Sequence, residues 1–171
     1  MCIVTEHVKL LKENEELKTK IAGLEAGNLE WYELNQPAST KQIISTDLYK
    51  FLWRHFGDTP FFIGDRYRYL CNYDDIAVFL AQDQTNKMEY VSDTEGISSY
   101  DCNVFANRLM GQFSVPGWCD LTFGKIWLKV PAHALNLIIT ETEEIFYVEP
   151  QNDELMSVDK YDSKEVRFIE M

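Results

Sequence analysis

The hydrophobic period of this chain changes once, near Gly111, and that change limits the folds open to it. Upstream, apolar residues recur at helical spacing over 46–56, over 73–83, and from Ser98 or Ser99 through Cys102 to about Met110. Downstream they alternate, over 121–130, 132–140, 144–149, a short piece near 155–158, and 164–170. Helices followed by strands predict an α+β fold with an antiparallel sheet. Local punctuation agrees. Ser45 or Thr46 would start the first helix and Gly57 would stop it. Asn72 is the N-cap expected for the second, with Asp75 three residues on, and Gly111 is the expected stop of the third.

A separate pattern occupies residues 3–31. Ile3, Leu10, Leu17, Leu24 and Trp31 fall every seven residues as d positions, which makes His7, Asn14, Ile21 and Asn28 the a positions. Asn at a is costly in a core but fixes register and parallel pairing in a coiled coil. Glu13 with Lys18, and Lys20 with Glu25, would attract across a parallel dimer. Leu10, Asn14, Leu17, Ile21 and Leu24 are therefore the expected oligomerisation residues, in a dimer set by Asn14 or in a trimer. The competing reading is an amphipathic helix packed on its own domain. No basic region adjoins the heptads, which argues against a DNA-binding zipper. Asn35-Gln36-Pro37-Ala38-Ser39-Thr40 breaks the helix. The expected organisation is a coiled-coil helix over 1–34, a linker over 35–44 and a catalytic domain over 45–171.

Charge and cysteine usage narrow the classes. A net charge of −12 would repel nucleic-acid phosphates. No apolar run reaches the length of a membrane span. Met1-Cys2-Ile3-Val4-Thr5-Glu6-His7 lacks the basic and apolar regions of a signal peptide. Cys2, Cys71, Cys102 and Cys119 show no paired spacing. A cytoplasmic or virion-associated protein is the expectation, with Cys71 and Cys119 as buried small hydrophobes.

Cys102 reads differently. It opens a helix in Tyr100-Asp101-Cys102-Asn103, and His133 and Glu149 follow on successive strands. A helix start and a nearby imidazolium both favour a thiolate, and an acid can orient the imidazole. If 132–140 and 144–149 form a hairpin in which odd residues face odd residues, Ile145, Tyr147, Glu149 and Gln151 share the face of His133. His133 then lies opposite Gln151 with Glu149 diagonal, about 7–8 Å away between backbones. A slip of one residue would turn Glu149 to the wrong side. In this reading Cys102 is the nucleophile, His133 the acid–base and Glu149 the orienter. Helix-start N–H groups serve as oxyanion donors, and Gln151 is a further polar donor. Spacing alone leaves three unrelated residues equally open, as well as a zinc site that lacks a fourth ligand.

Four short segments occur in order: Asp101-Cys102-Asn103-x-Phe105-Ala106, Phe123-Gly124-Lys125-Ile126-Trp127, His133-Ala134-x-Asn136 and Glu149-Pro150-Gln151. Together they resemble the papain-like C-terminal cysteine-protease domain of a mushroom agglutinin and its bacterial and phage relatives, over about residues 60–155. The resemblance implies a papain-like fold, a Cys102–His133–Glu149 triad, with Gln151 as a polar contributor, and calcium as a cofactor. Asp65, Asp74 and Asp75 are candidate calcium ligands, although no EF-hand pattern is present. Two departures stand out. The family often has an acid after the cysteine, where this chain has Asn103, and no sugar-binding repeat precedes the domain.

The function expected from these residues is a coiled-coil-presented cysteine hydrolase acting on peptide or protein amide bonds, with acyl transfer as a variant. The alternative is a non-catalytic oligomeric structural or adaptor protein, such as a virion-associated one, that reuses the same fold. A metal-binding protein is a third and weaker idea.

Overall fold

The computed structural model describes residues 3–25, 35–92 and 100–171, with side chains of the first helix described over 9–21. The chain divides into two compact units, residues 1–36 and 37–171. The first contains helix α1, Ile3–Glu25. Its Leu10, Leu17 and Ile21 side chains are more than half exposed, so within its own unit this apolar stripe is not packed away. Asn14 is exposed as well, and the Leu24 side chain lies outside the described residues.

The second unit is α+β. In chain order it comprises β1 (Gln42–Ile44), α2 (Ser45–Phe56), β2 (Phe61–Phe62), β3 (Tyr67–Tyr69), α3 (Tyr73–Gln82), α4 (Cys102–Gln112), β4 (Phe123–Leu128), β5 (His133–Ile139), β6 (Ile145–Glu149), β7 (Glu154–Ser157) and β8 (Val166–Glu170). β1 pairs with β3, and the other six strands form one sheet in the order β2-β8-β4-β5-β6-β7. The sheet is antiparallel except at its edge, where β2 runs parallel to β8. The sequence pattern misses β1, β2 and β3 because two or three residues are too few for alternation to register.

β5 pairs with β6 from Asn136 with Val148 to Ile139 with Ile145, the register that the parity argument required. The two faces of the sheet are covered by different helices. Leu135, Leu137, Ile139, Ile145 and Tyr147 pack with Leu48, Phe51, Leu52 and Phe56 of α2. Those four residues fall on one face of an amphipathic helix. The other face carries Phe123, Lys125 and Asn136, and α4 lies against it, with Asn136 Nδ2 donating to the Ala106 carbonyl at 3.0 Å. The Phe113 ring, just past α4, stacks on Phe123 at 3.8 Å between centroids, and Phe79 of α3 stacks on Phe113 at 3.9 Å.

Helix boundaries follow the caps. Asn72 Oδ1 accepts from the Asp74 amide at 3.0 Å, as its position predicted. Asp75 turns elsewhere, accepting from the Ala38 amide at 2.6 Å. At α2 neither Ser45 nor Thr46 caps, because Ile44 holds that position without a side-chain bond. Gly57 does end α2, with φ of 59° and its amide on the Trp53 carbonyl. α4 begins at Cys102, later than the spacing suggested, because Asp101 caps it. Gly111 does not stop α4, which runs on to Gln112. Residues 38–41, inside the expected linker, are tied to the second unit. The Thr40 and Lys41 amides donate to Glu141 Oε1 at 2.6 and 3.0 Å.

Candidate functional site

The hairpin register brings two of the expected site residues together. His133 Nε2 lies 2.7 Å from Glu149 Oε2, and both side chains are largely buried. The other Glu149 oxygen, Oε1, accepts from the Gln151 amide at 3.3 Å. Gln151 thus contributes through its backbone, holding Glu149 in place.

Cys102 sits at the first position of α4 and is half-buried. Asp101 Oδ1 accepts from the Asn103 and Val104 amides at 3.1 and 3.3 Å, and the Asp101 carbonyl takes the Phe105 amide at 3.1 Å. The Asn103 and Val104 amides of the helix start are therefore already used by this cap. Among the described residues no hydrogen bond joins Cys102 to His133. No three His, Cys, Asp or Glu side chains among them converge to hold a metal ion. Strand parity accounts for this. His133 belongs to the face of Leu135 and Leu137, which α2 covers, whereas α4 packs on the face of Lys125 and Asn136.

A residue that composition could not single out dominates the α4 side. Lys125 is 3% exposed. Its ammonium donates to Asn107 Oδ1 at 2.7 Å and to Asn103 Oδ1 at 2.5 Å, and lies 4.1 Å from the centre of the Trp127 ring. Burial lowers its pKa, while Glu170, Cys102 and Asp101 act in the opposite sense. Asn103, where the resembling family often has an acid, is here a neutral acceptor for this ammonium. The one available signal was a lysine in the middle of an alternating strand.

The remaining cysteines divide. Cys71 is buried, as expected, and burial pushes its thiol up to about 12. Cys119 is exposed, against expectation. The turn at 115–120 sends Trp118 into the core and leaves Cys119 outside beside Asp120, and burial followed by that carboxylate raises its pKa. Of the calcium candidates, Asp65 pairs with Arg68 at 2.8 Å, Asp75 serves the Ala38 amide, and Asp74 lies in the first turn of α3.

No family model matches the chain. Nor does any curated protein match it. Solved structures do match its fold. One, described as "PSL1a-E64 complex", aligns with a TM-score of 0.61 at 15% identity, over 78% of this chain and 51% of that one. Another is Polyporus squamosus lectin bound to the human-type influenza-binding epitope Neu5Aca2-6Galb1-4GlcNAc, with a TM-score of 0.61 at 16% identity, over 78% of this chain and 50% of that one. This chain spans about half the length of the structures it matches, and at such identity the likeness is one of fold.

These findings correct the sequence reading. The chain's structural neighbours are structures of a sugar-binding lectin, where the resemblance had implied a papain-like cysteine protease. The peptidase assignment falls with it, as do the amide-hydrolase and acyl-transfer variants. What the fold shows is a mixed α/β domain. No described helix is long and apolar enough to cross a membrane.

Proposed function

We infer that this chain is a non-catalytic, oligomeric adaptor whose α+β domain binds carbohydrate. The observation that carries the non-catalytic reading is the Asp101 cap, which takes the Asn103 and Val104 amides at the Cys102 helix start. Carbohydrate is the ligand class because the lectin neighbour is described with a sialylated trisaccharide bound. The His133–Glu149 pair suits such a ligand. The Gln151 amide holds Glu149, and an imidazole–carboxylate pair offers both donors and acceptors to a hydroxyl-rich ligand. Oligomerisation rests on α1. Leu10, Leu17 and Ile21 form an exposed stripe at heptad spacing, with Asn14 at an a position to align two parallel helices. Linking several weak sites multiplies avidity without new contacts.

The test is binding of the full chain to a surface bearing Neu5Aca2-6Galb1-4GlcNAc. The expected result is binding that Cys102→Ala preserves and His133→Ala weakens, with Leu17→Glu reducing avidity by about 100-fold or more as the oligomer dissociates. Absence of binding would place the trisaccharide in the half of the lectin that this chain does not share, and would overturn the carbohydrate reading.

A further inference from the structure

The geometry points to an oxyanion-binding cleft at the opposite end of α2 from its N-terminus, formed where the α2–β2 turn meets β8. The cleft encloses about 500 Å³ and is lined by Lys129, Lys164 and Arg167, with Asp58 as the one carboxylate among its described lining residues. Such a grouping is unexpected here, because Asp and Glu outnumber Lys and Arg by 28 to 16 over the whole chain. The floor is apolar, made by Phe56 and Val166, both almost fully buried. An apolar floor lowers the local dielectric and strengthens charge recognition above it.

Lys129 is held in place by the backbone. The Lys129 amide donates to the Glu165 carbonyl at 2.7 Å, and its ammonium donates to the Lys164 carbonyl at 3.2 Å. The Lys164 amide is fixed by Asp162 Oδ1 at 3.0 Å, so that carboxylate caps the short helical turn there. Arg167 projects from β8, where its guanidinium can offer two parallel donors to a carboxylate or phosphate. The end of a helix ordinarily disfavours an anion, because its last carbonyls point outward. Here that effect is reduced. Gly57 takes the Trp53 carbonyl, and the Thr59 amide and hydroxyl both take the Phe56 carbonyl. The ligand class is therefore a small molecule or terminal group carrying a carboxylate or a phosphate. This inference does not depend on the proposed function.

The test is an NMR titration of the full chain with inorganic phosphate and, separately, with malonate, ionic strength being held constant with chloride. Saturable shifts at the Gly57 and Lys164 amides are expected with at least one of the two, and the tighter one identifies the oxyanion. The double variant Lys164→Ala/Arg167→Ala should weaken binding by about tenfold or more, since charge-assisted hydrogen bonds are lost. Lys50→Ala, a cation outside the cleft, should leave it unchanged. Both altered side chains in the double variant are exposed, so its spectrum away from the cleft reports that it folds. Failure of both anions to saturate, or equal binding by the double variant, would overturn the inference.

Discussion

Asp101 places one carboxylate oxygen 3.1 Å from the Asn103 amide and 3.3 Å from the Val104 amide. Replacing a capping Asp with Ala typically costs about 1 kcal/mol. Asp101→Ala should therefore lower the stability measured by urea unfolding by that amount, and a variant as stable as the wild type would show the cap to be dispensable. Asp153 gives a pH-dependent prediction. Burial, and then the charge of Asp83, raise its pKa from 3.8 to about 6, and it accepts from Asn86 Nδ2. The folded chain thus holds this proton more tightly than the unfolded chain does. The associated stability is present below about pH 4 and is lost as pH rises through about 6. Asp153→Asn removes that loss, and Asn tolerates the φ of 61° at this position. Its melting temperature should exceed that of the wild type at pH 7.5 and match it near pH 3.5. A gain of the same size at both pH values would mean that ionisation is not the cause. At this scale the sequence was legible for Asn72 and Cys71. It misled at Cys119, because composition does not show which way a turn residue points.

At the scale of elements, the β5–β6 hairpin was legible to the residue. Alternation fixes parity, and a buried face penalises any slip. The same parity argument placed His133 and Glu149 together correctly. It could not place Cys102, because the packing of α4 on the Lys125 face depends on contacts far apart in sequence. Two substitutions probe the two faces of β4, Gly124 on the Leu137 side and Lys125 on the Asn136 side. A Cβ at Gly124 would meet the Glu170 carbonyl oxygen and would lie 2.6 Å from Met171 Cγ. Gly124→Ala should destabilise by about 1–3 kcal/mol through overpacking, measured by chemical denaturation. Lys125→Met keeps the length of the stem but takes the ammonium from Asn107 Oδ1 and leaves Asn103 Oδ1 with the Asn107 amide alone. A loss of about 1–3 kcal/mol is expected. A neutral result for Lys125→Met would mean that these amides find other partners.

For the whole molecule, the account joins an α1 that exposes an apolar heptad stripe to a domain that binds without reacting. The helix over Ile3–Glu25 was readable from spacing alone, and the exposed Leu10, Leu17 and Ile21 are what the proposed pairing with another copy would bury. Sedimentation equilibrium should give a dimer that Leu17→Glu converts to monomer, and a monomeric wild type would remove the oligomeric part. The chemistry at Cys102 is the central claim, and one experiment addresses it directly. The full chain, and its Cys102→Ala variant, would be incubated with a diverse peptide library and the products followed by mass spectrometry. The account predicts no cleavage product that depends on Cys102. Products formed by the wild type and absent with Cys102→Ala would contradict it.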